Sequence, residues 1–250
     1  MAISLSSLQT STTLRPPRIL MHGVHGVGKT TFAAGADAPV VIMTEDGLGM
    51  LKVPHFPLAT SFVDVVEALD ALLKEEHAYS TVVIDSVDWL EPLVWAETCR
   101  RNGWASIEAP GFGKGYAEAL TVWREYLDRL NALRDRRGMA VVQIAHTDIK
   151  RFDSPEHEPY DRYVIKLQAR AAALLQEHCD VVLFANYRMS ITKADVGFNK
   201  KVARALGSGE RVLHTAERPA FLAKNRYGLP DTLPLDWKAF VAAMPQPEQP

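Results

Sequence analysis

The segment Gly23-Val24-His25-Gly26-Val27-Gly28-Lys29-Thr30 constrains what this chain can fold into more than any other feature of it. It matches G-x-x-x-x-G-K-[ST] completely. It stands between a short apolar run, Ile19-Leu20-Met21, and a helix-like stretch. That strand–loop–helix context makes the pattern informative. Gly23 and Gly28 let the backbone turn tightly, so that amides point inward at phosphate. The following helix adds free N–H groups and the positive end of its dipole. On this reading Gly23 to Thr31 bind a nucleotide. Lys29 supplies a cation to the β- and γ-phosphates, and Thr30 a hydroxyl to Mg2+.

The rest of the sequence supplies the α/β framework such a loop needs. Val40–Met43, Thr81–Asp85, Met139–Ala145 and Val181–Ala185 read as buried strands. Between them, Ser61 and Asp64 have capping-box spacing, and Phe62, Val65, Val66, Leu69, Leu72 and Leu73 share one helical face. Further helices are predicted at about 87–101, 117–136 and 163–178. The longest turns Leu120, Trp123, Leu127, Leu130 and Leu133 inward. The charged, Pro-containing segment 147–162 reads as a loop. The tail has β-like pieces near 211–216 and 219–224 and a short helix near 236–243. Strands alternating with helices predict a mostly parallel sheet with helices on both faces, here with a β-rich C-terminal portion. Ligands belong beyond the carboxyl ends of such strands. The expected organisation is a flexible arm over 1–16, one domain over 17–240 and a frayed tail over 241–250.

Composition excludes several classes. Of 250 residues, 47% are hydrophobic and 23% charged, too apolar for a chain disordered throughout. No stretch approaches the ~20 apolar residues of a membrane span. Met1 to Arg18 lacks the basic and apolar regions of a signal peptide. Two cysteines are too few for a disulfide scaffold, and the expected location is the cytoplasm. With 28 Lys and Arg against 30 Asp and Glu, contact with nucleic acid has to come from a local patch.

Several residues at the predicted strand ends carry chemistry. Asp85 emerges beside the phosphate loop as a Mg2+-orienting carboxylate, or as a turn or helix-capping aspartate. Glu45, in Glu45-Asp46-Gly47, orients and polarises an attacking water, with Asp46 the second choice; a polar turn with Gly47 at positive φ is the alternative. His146 follows the fourth strand at the same edge, to touch the γ-phosphate or simply to bond backbone. Phe112, Lys114 and Tyr116 in a glycine-rich stretch, and Lys150-Arg151-Phe152 after the next strand, combine stacking rings with cations, the pattern of single-strand binding; two ordinary surface loops are the alternative. Arg188, Lys193, Lys200, Lys201 and Arg204 form the richest basic stretch, a guide for a DNA backbone or a solvated face. Lys224 and Arg226 read as cations reaching a neighbouring subunit's site or as partners in an internal salt bridge.

Taken together, Lys29-Thr30-Thr31-Phe32-Ala33, Met43-Thr44-Glu45-Asp46-Gly47 and Val82-Val83-Ile84-Asp85-Ser86-Val87 resemble the RecA-like P-loop NTPase core, an AAA-type ATP-binding domain. Ala223-Lys224-Asn225-Arg226-Tyr227-Gly228-Leu229-Pro230 is similar to a segment of the phage-encoded RecA-like ATPases that act as single-strand annealing recombinases. The resemblance covers about residues 17–240. It implies ATP and Mg2+ as cofactors, Glu45 as the catalytic glutamate and Asp85 as the magnesium-site aspartate. It places His146 where larger recombinases carry a nucleotide-sensing glutamine. Gly111–Tyr116 and 147–162 fall at the two DNA-binding loops, and Lys224 and Arg226 at fingers acting in trans. The implied partners are single-stranded DNA, further copies in a ring or filament, and a single-stranded-DNA-binding protein, in the host cytoplasm if the chain is phage-encoded. Two other functions fit the residues: a P-loop phosphotransferase acting on a small molecule, and a nucleotide-gated interaction module for replication or packaging partners.

Overall fold

The computed structural model describes residues 4–8, 14–155, 158–195 and 201–245, with backbone only at 6, 189–195 and 201–208. Five parallel strands form its centre: β1 (Arg18–Gly23), β2 (Pro39–Met43), β3 (Thr81–Asp85), β4 (Ala140–Phe152) and β6 (Val181–Asp195). β7 (Lys201–His214) and β9 (Thr232–Pro234) extend the sheet antiparallel, giving the order β2-β3-β4-β1-β6-β7-β9. β5 (Tyr160–Ile165) pairs with β4, and β8 (Lys224–Asn225) with β6. The mostly parallel sheet with a β-rich C-terminal portion is thus the observed architecture.

Alternation along the strands decides where the helices go, because successive side chains leave a strand on opposite faces. Leu20, Val82, Ile84, Val141 and Val182 pack on one face with α2 (Phe62–Lys74), α3 (Val87–Asn102), α4 (Lys114–Arg137) and α5 (Ala169–His178). Ile19, Met21, Val83, Val142 and Val181 pack on the other with α1 (Lys29–Ala34) and α6 (Trp237–Ala243). Ser61 and Asp64 form the reciprocal cap that their spacing predicts. α6 continues past residue 240, and Met244 packs against the core, so helix replaces part of the expected frayed tail.

Two segments differ from the sequence reading. Residues 147–162 are largely a hairpin: β4 runs on past the sheet to Phe152 and returns as β5, with Lys150 opposite Arg162 and Phe152 opposite Tyr160. Its outgoing strand is exposed on both faces from Asp148 to Phe152, whereas Arg162 and Ile165 of β5 are buried. It also takes residues 163–165 from the predicted helix, which begins at Ala169. The second difference is α4, which starts at Lys114, three residues early. A Cβ on Gly115 would lie 1.8 Å from the Ile107 carbonyl oxygen, so this glycine permits close packing of the helix start and not loop freedom.

Fully buried polar side chains lie at the centre of the sheet, His22 on β1 and Gln143 on β4 among them. Gln143 of β4 is fully buried; its Oε1 accepts from the Tyr126 hydroxyl at 2.9 Å and its Nε2 approaches Cys179 Sγ at 3.3 Å. Tyr126→Phe leaves that acceptor buried and unpaired, at a cost of about 1–3 kcal/mol. A urea melt is expected to show this as a lower midpoint with unchanged slope.

Candidate functional site

The carboxyl ends of β1, β2, β3 and the sheet-embedded part of β4 lie along one edge, and the loop 23–30 spans it. Gly28 (φ +106) and Gly26 (φ +69) take left-handed conformations that disfavour a side chain. Gly23 is required for another reason: a Cβ there would lie 2.3 Å from the Ala185 carbonyl oxygen on β6. Val27 anchors the loop in the core, while His25 and Gly26 are exposed. Lys29 is buried, and its ammonium donates to the carbonyls of Gly23 (3.0 Å) and Val24 (3.2 Å). Burial pushes this ammonium below its ordinary value, against the pull of Asp85, Asp88 and Glu45. Thr31 is exposed on the first turn of α1.

Asp85 ends β3 across from the loop. Thr30 Oγ1 donates to its Oδ2 at 2.8 Å. Burial raises the Asp85 carboxyl above its ordinary value; the Thr30 hydrogen bond and Lys29 oppose this, while Glu45 adds to it. Among the described residues no group of three or more His, Cys, Asp and Glu side chains is arranged to hold a metal ion. The Thr30–Asp85 oxygen pair instead suits Mg2+, which commonly takes one or two carboxylates and completes its shell with phosphate oxygens and water.

A second group forms beside this pair. The His146 ring nitrogen Nδ1 is 2.9 Å from Asp88 Oδ2 and 3.9 Å from Glu45 Oε1, and the His146 amide donates to Asp88 Oδ1 at 2.9 Å. The His146 ring stacks on His25 of the loop with centroids 4.6 Å apart. Burial pushes the Asp88 carboxyl up, but the hydrogen bonds from His146 outweigh it and hold the group below its ordinary value. Glu45 is partly buried and Asp46 exposed. The positive φ expected at Gly47 falls at Gly49 (φ +54), in the turn closed by Leu51 N–H to Leu48 O. Lys29, Thr30, Glu45, Asp85 and His146 therefore converge.

Asp88 was not singled out in the sequence. Its signal is position: it sits in the first turn of α3, three residues beyond Asp85. Tyr187 and Arg211 were also missed, because they reach the loop from β6 and β7. The Tyr187 hydroxyl donates to Gly26 O at 3.3 Å.

The remaining candidates lie apart from this centre. Phe112 is fully exposed at φ +49, and Lys114 opens α4. Tyr116 is engaged internally, its hydroxyl donating to Glu108 at 2.9 Å and its ring meeting Trp95 edge-on. Lys150 and Arg151 project from the hairpin with carboxylates nearby, Asp148 at 4.0 Å and Asp153 at 3.6 Å. Phe152 packs on Tyr160 beneath the Arg162 guanidinium. Lys224 and Arg226 lie at the opposite edge of the sheet, since β8 pairs with the first residues of β6. There the Lys224 ammonium donates to the carbonyls of Gln176, Glu177 and Cys179, and Arg226 sits 3.5 Å from Asp180. Neither reaches its own chain's phosphate loop. Arg188 pairs with Glu210 at 2.7 Å. Lys200 and the side chains of Lys193, Lys201 and Arg204 lie outside the described residues.

A comparison with protein families matches residues 15–227 to the AAA domain. The chain belongs to that family. As an AAA domain it is a nucleotide-binding P-loop unit of the ATPase kind, and the loop 23–30 with its facing carboxylates lies within the matched span. No curated protein matches the chain. No helix of the described residues of this AAA domain is long and apolar enough to cross a membrane.

Proposed function

We propose that the protein is an ATP-dependent, single-stranded-DNA-binding ATPase that promotes annealing or homologous recombination. One observation carries this reading. β4 is a single continuous strand that holds His146 among the site carboxylates and, four to six residues on, presents Lys150, Arg151 and Phe152 on a projecting hairpin. A change at the nucleotide is thereby linked by one element to two exposed cations and a ring, the groups that meet backbone phosphates and stacked bases, although Asp148 and Asp153 stand beside Lys150 and Arg151 and have to release them.

On this reading Lys29 exchanges the Gly23 and Val24 carbonyls for phosphate oxygens. Thr30 and Asp85 hold Mg2+, which when bound neutralises phosphate charge. Glu45 orients the attacking water and takes its proton, and Asp88 fixes the His146 ring beside it. Phe112, Lys114 and Tyr116 extend the DNA path, although Tyr116 must first leave Glu108. Lys224 and Arg226 act only on a neighbouring copy in a ring or filament, and the half-exposed Arg226 is the freer of the two.

A cavity of about 360 Å3 favours a second reading. It adjoins Asp88 and is lined by Trp89, Glu91, Asp148, Lys150 and Lys166. It offers an acceptor pocket to a small-molecule phosphotransferase. Burial raises the Glu91 carboxyl in this cavity to about 7, despite hydrogen bonds from the Gln168 amide.

Steady-state ATP hydrolysis with and without single-stranded DNA separates the readings, with Lys29→Ala as the blank. DNA is expected to raise the rate severalfold. The alanine variant is expected to lose about 10²–10³ of it, as when one preorganised charge-stabilising donor is removed. Hydrolysis indifferent to DNA across a salt series would refute the DNA reading and move the assignment to phosphotransfer.

A further inference from the structure

The phosphate loop has a second flank, and none of the roles above uses it. In the sheet order, Glu45, Asp85, Asp88 and His146 follow β2, β3 and the inner part of β4, all on one side of β1. β6 and β7 lie on the other side. A triphosphate laid across the loop with its γ end toward the carboxylates has its other end on the β6 and β7 side.

A cleft of about 150 Å3 is found there, bounded by Gly28, Thr31 and Gly35 on the α1 side and by Arg211, Asp236 and Lys238 on the other. This is well under the roughly 300 Å3 at which pockets take a whole drug-sized ligand, so it suits one ring system of a larger molecule. Arg211 is exposed, and its Nη1 lies 3.0 Å from the point a Cβ on Gly28 would occupy. No hydrogen bond or ion pair among the described residues engages its guanidinium. Tyr187, opposite Arg211 in the β6–β7 register, places the same hairpin on the loop through Gly26. Asp236 uses Oδ1 to accept from the Ala239 amide at 2.9 Å. Its other oxygen is available to a ribose hydroxyl or an exocyclic amine.

We propose that this cleft receives the base of the bound nucleoside triphosphate, with the Arg211 guanidinium stacked on it and the ribose at the mouth beside the loop. The inference rests on reading the loop 23–30 as the triphosphate site. It assigns the cleft to nucleoside recognition, which phosphate contacts alone do not supply. A planar, delocalised guanidinium stacks on a π face in a way an ammonium does not.

The test is equilibrium binding of ATP and of inorganic tripolyphosphate to the full chain, each with Mg2+, for the parent, Arg211→Ala and Arg211→Lys. The parent is expected to bind ATP more tightly than tripolyphosphate. Both substitutions are expected to weaken ATP about tenfold and to leave tripolyphosphate within twofold. The lysine variant matters because it keeps the charge and loses the plane. Equal weakening of both ligands would make Arg211 a phosphate contact and overturn the proposal, as would no change in either. A parent that binds tripolyphosphate as tightly as ATP would overturn the cleft while leaving the loop intact. A parent that binds neither ligand better than Lys29→Ala does would overturn the loop reading and the cleft with it.

Discussion

Glu45→Gln is expected to bind ATP at least as well as the parent chain and to hydrolyse it about 10²–10⁴ times more slowly, the usual worth of a positioned general base. The asymmetry follows from the geometry. Glutamine keeps the size and shape of the side chain, so the turn after β2 and the contact with His146 survive. It cannot take a proton from water. It also removes one negative charge from a site where Asp85 and Asp88 already face the incoming phosphates, and where Glu45 helps raise the Asp85 carboxyl. Binding is therefore unchanged or tighter, and the loss falls on kcat. Single-turnover hydrolysis beside equilibrium binding separates the two. A glutamine variant with normal turnover would refute the assignment. If Asp88→Asn alone then abolished hydrolysis, the base would be Asp88, and the hydrogen bonds it makes to His146 would be part of the chemistry.

What the sequence made legible depended on the range of the interaction that fixes each element. The phosphate loop is local: eight consecutive residues contain its glycines, its cation and its hydroxyl. The five parallel strands are nearly local, since burial on both faces forces apolar runs such as Val82-Val83-Ile84. Helix α2 announces itself through a cap and a stripe within thirteen residues. The β4–β5 hairpin does not. Past His146 the outgoing strand leaves the covered part of the sheet, its side chains from Asp148 to Phe152 are exposed on both faces, and the apolar alternation that marks a half-buried strand is lost there. The site shows the same division. The positions of Glu45, Asp85 and His146 were legible because each lies at or just past the end of an apolar run at the loop edge. Asp88 is defined by a hydrogen bond to a residue 58 positions away, and Arg211 by the register of a hairpin. Nothing in the residues around either one encodes those contacts. Lys224 and Arg226 show the converse: their spacing is plain locally, whereas only the pairing of β8, which holds Lys224 and ends at Asn225, fixes which edge they occupy.

Asp180→Ala is expected to destabilise the fold by about 3–5 kcal/mol, the cost of removing one partner from a buried ion pair. Asp180 begins the turn into β6 at the edge remote from the phosphate loop, and its side chain is 9% exposed. Its Oδ2 accepts from the Arg18 amide at 3.0 Å and from Arg18 Nε at 3.3 Å, while Oδ1 accepts from Arg18 Nη2 at 3.0 Å. Arg134 of α4 approaches the same carboxylate at 3.3 Å, so one side chain ties β1, α4 and β6 together. Alanine would leave a strand amide without its acceptor and two largely buried guanidiniums without their counter-charge, Arg18 keeping only Asn131 and Arg134 only the Pro16 carbonyl as acceptors. For a chain of this size the loss corresponds to a melting temperature lower by roughly 10 °C. Arg226→Ala is the matched control, because that guanidinium is half exposed at 3.5 Å and is worth under about 1 kcal/mol. The pH dependence has a definite sign. Burial pushes the Asp180 carboxyl up, but the hydrogen bonds and charge of Arg18 and the charge of Arg134 outweigh it, and the folded value lies below the ordinary 3.8. The stabilisation is therefore complete above that value and is lost as pH falls through the lower folded one. Parent and alanine variant should differ fully at pH 7 and converge as pH falls below the lowered folded value. A constant difference across that range would mean that the carboxylate charge is not what holds these three elements together.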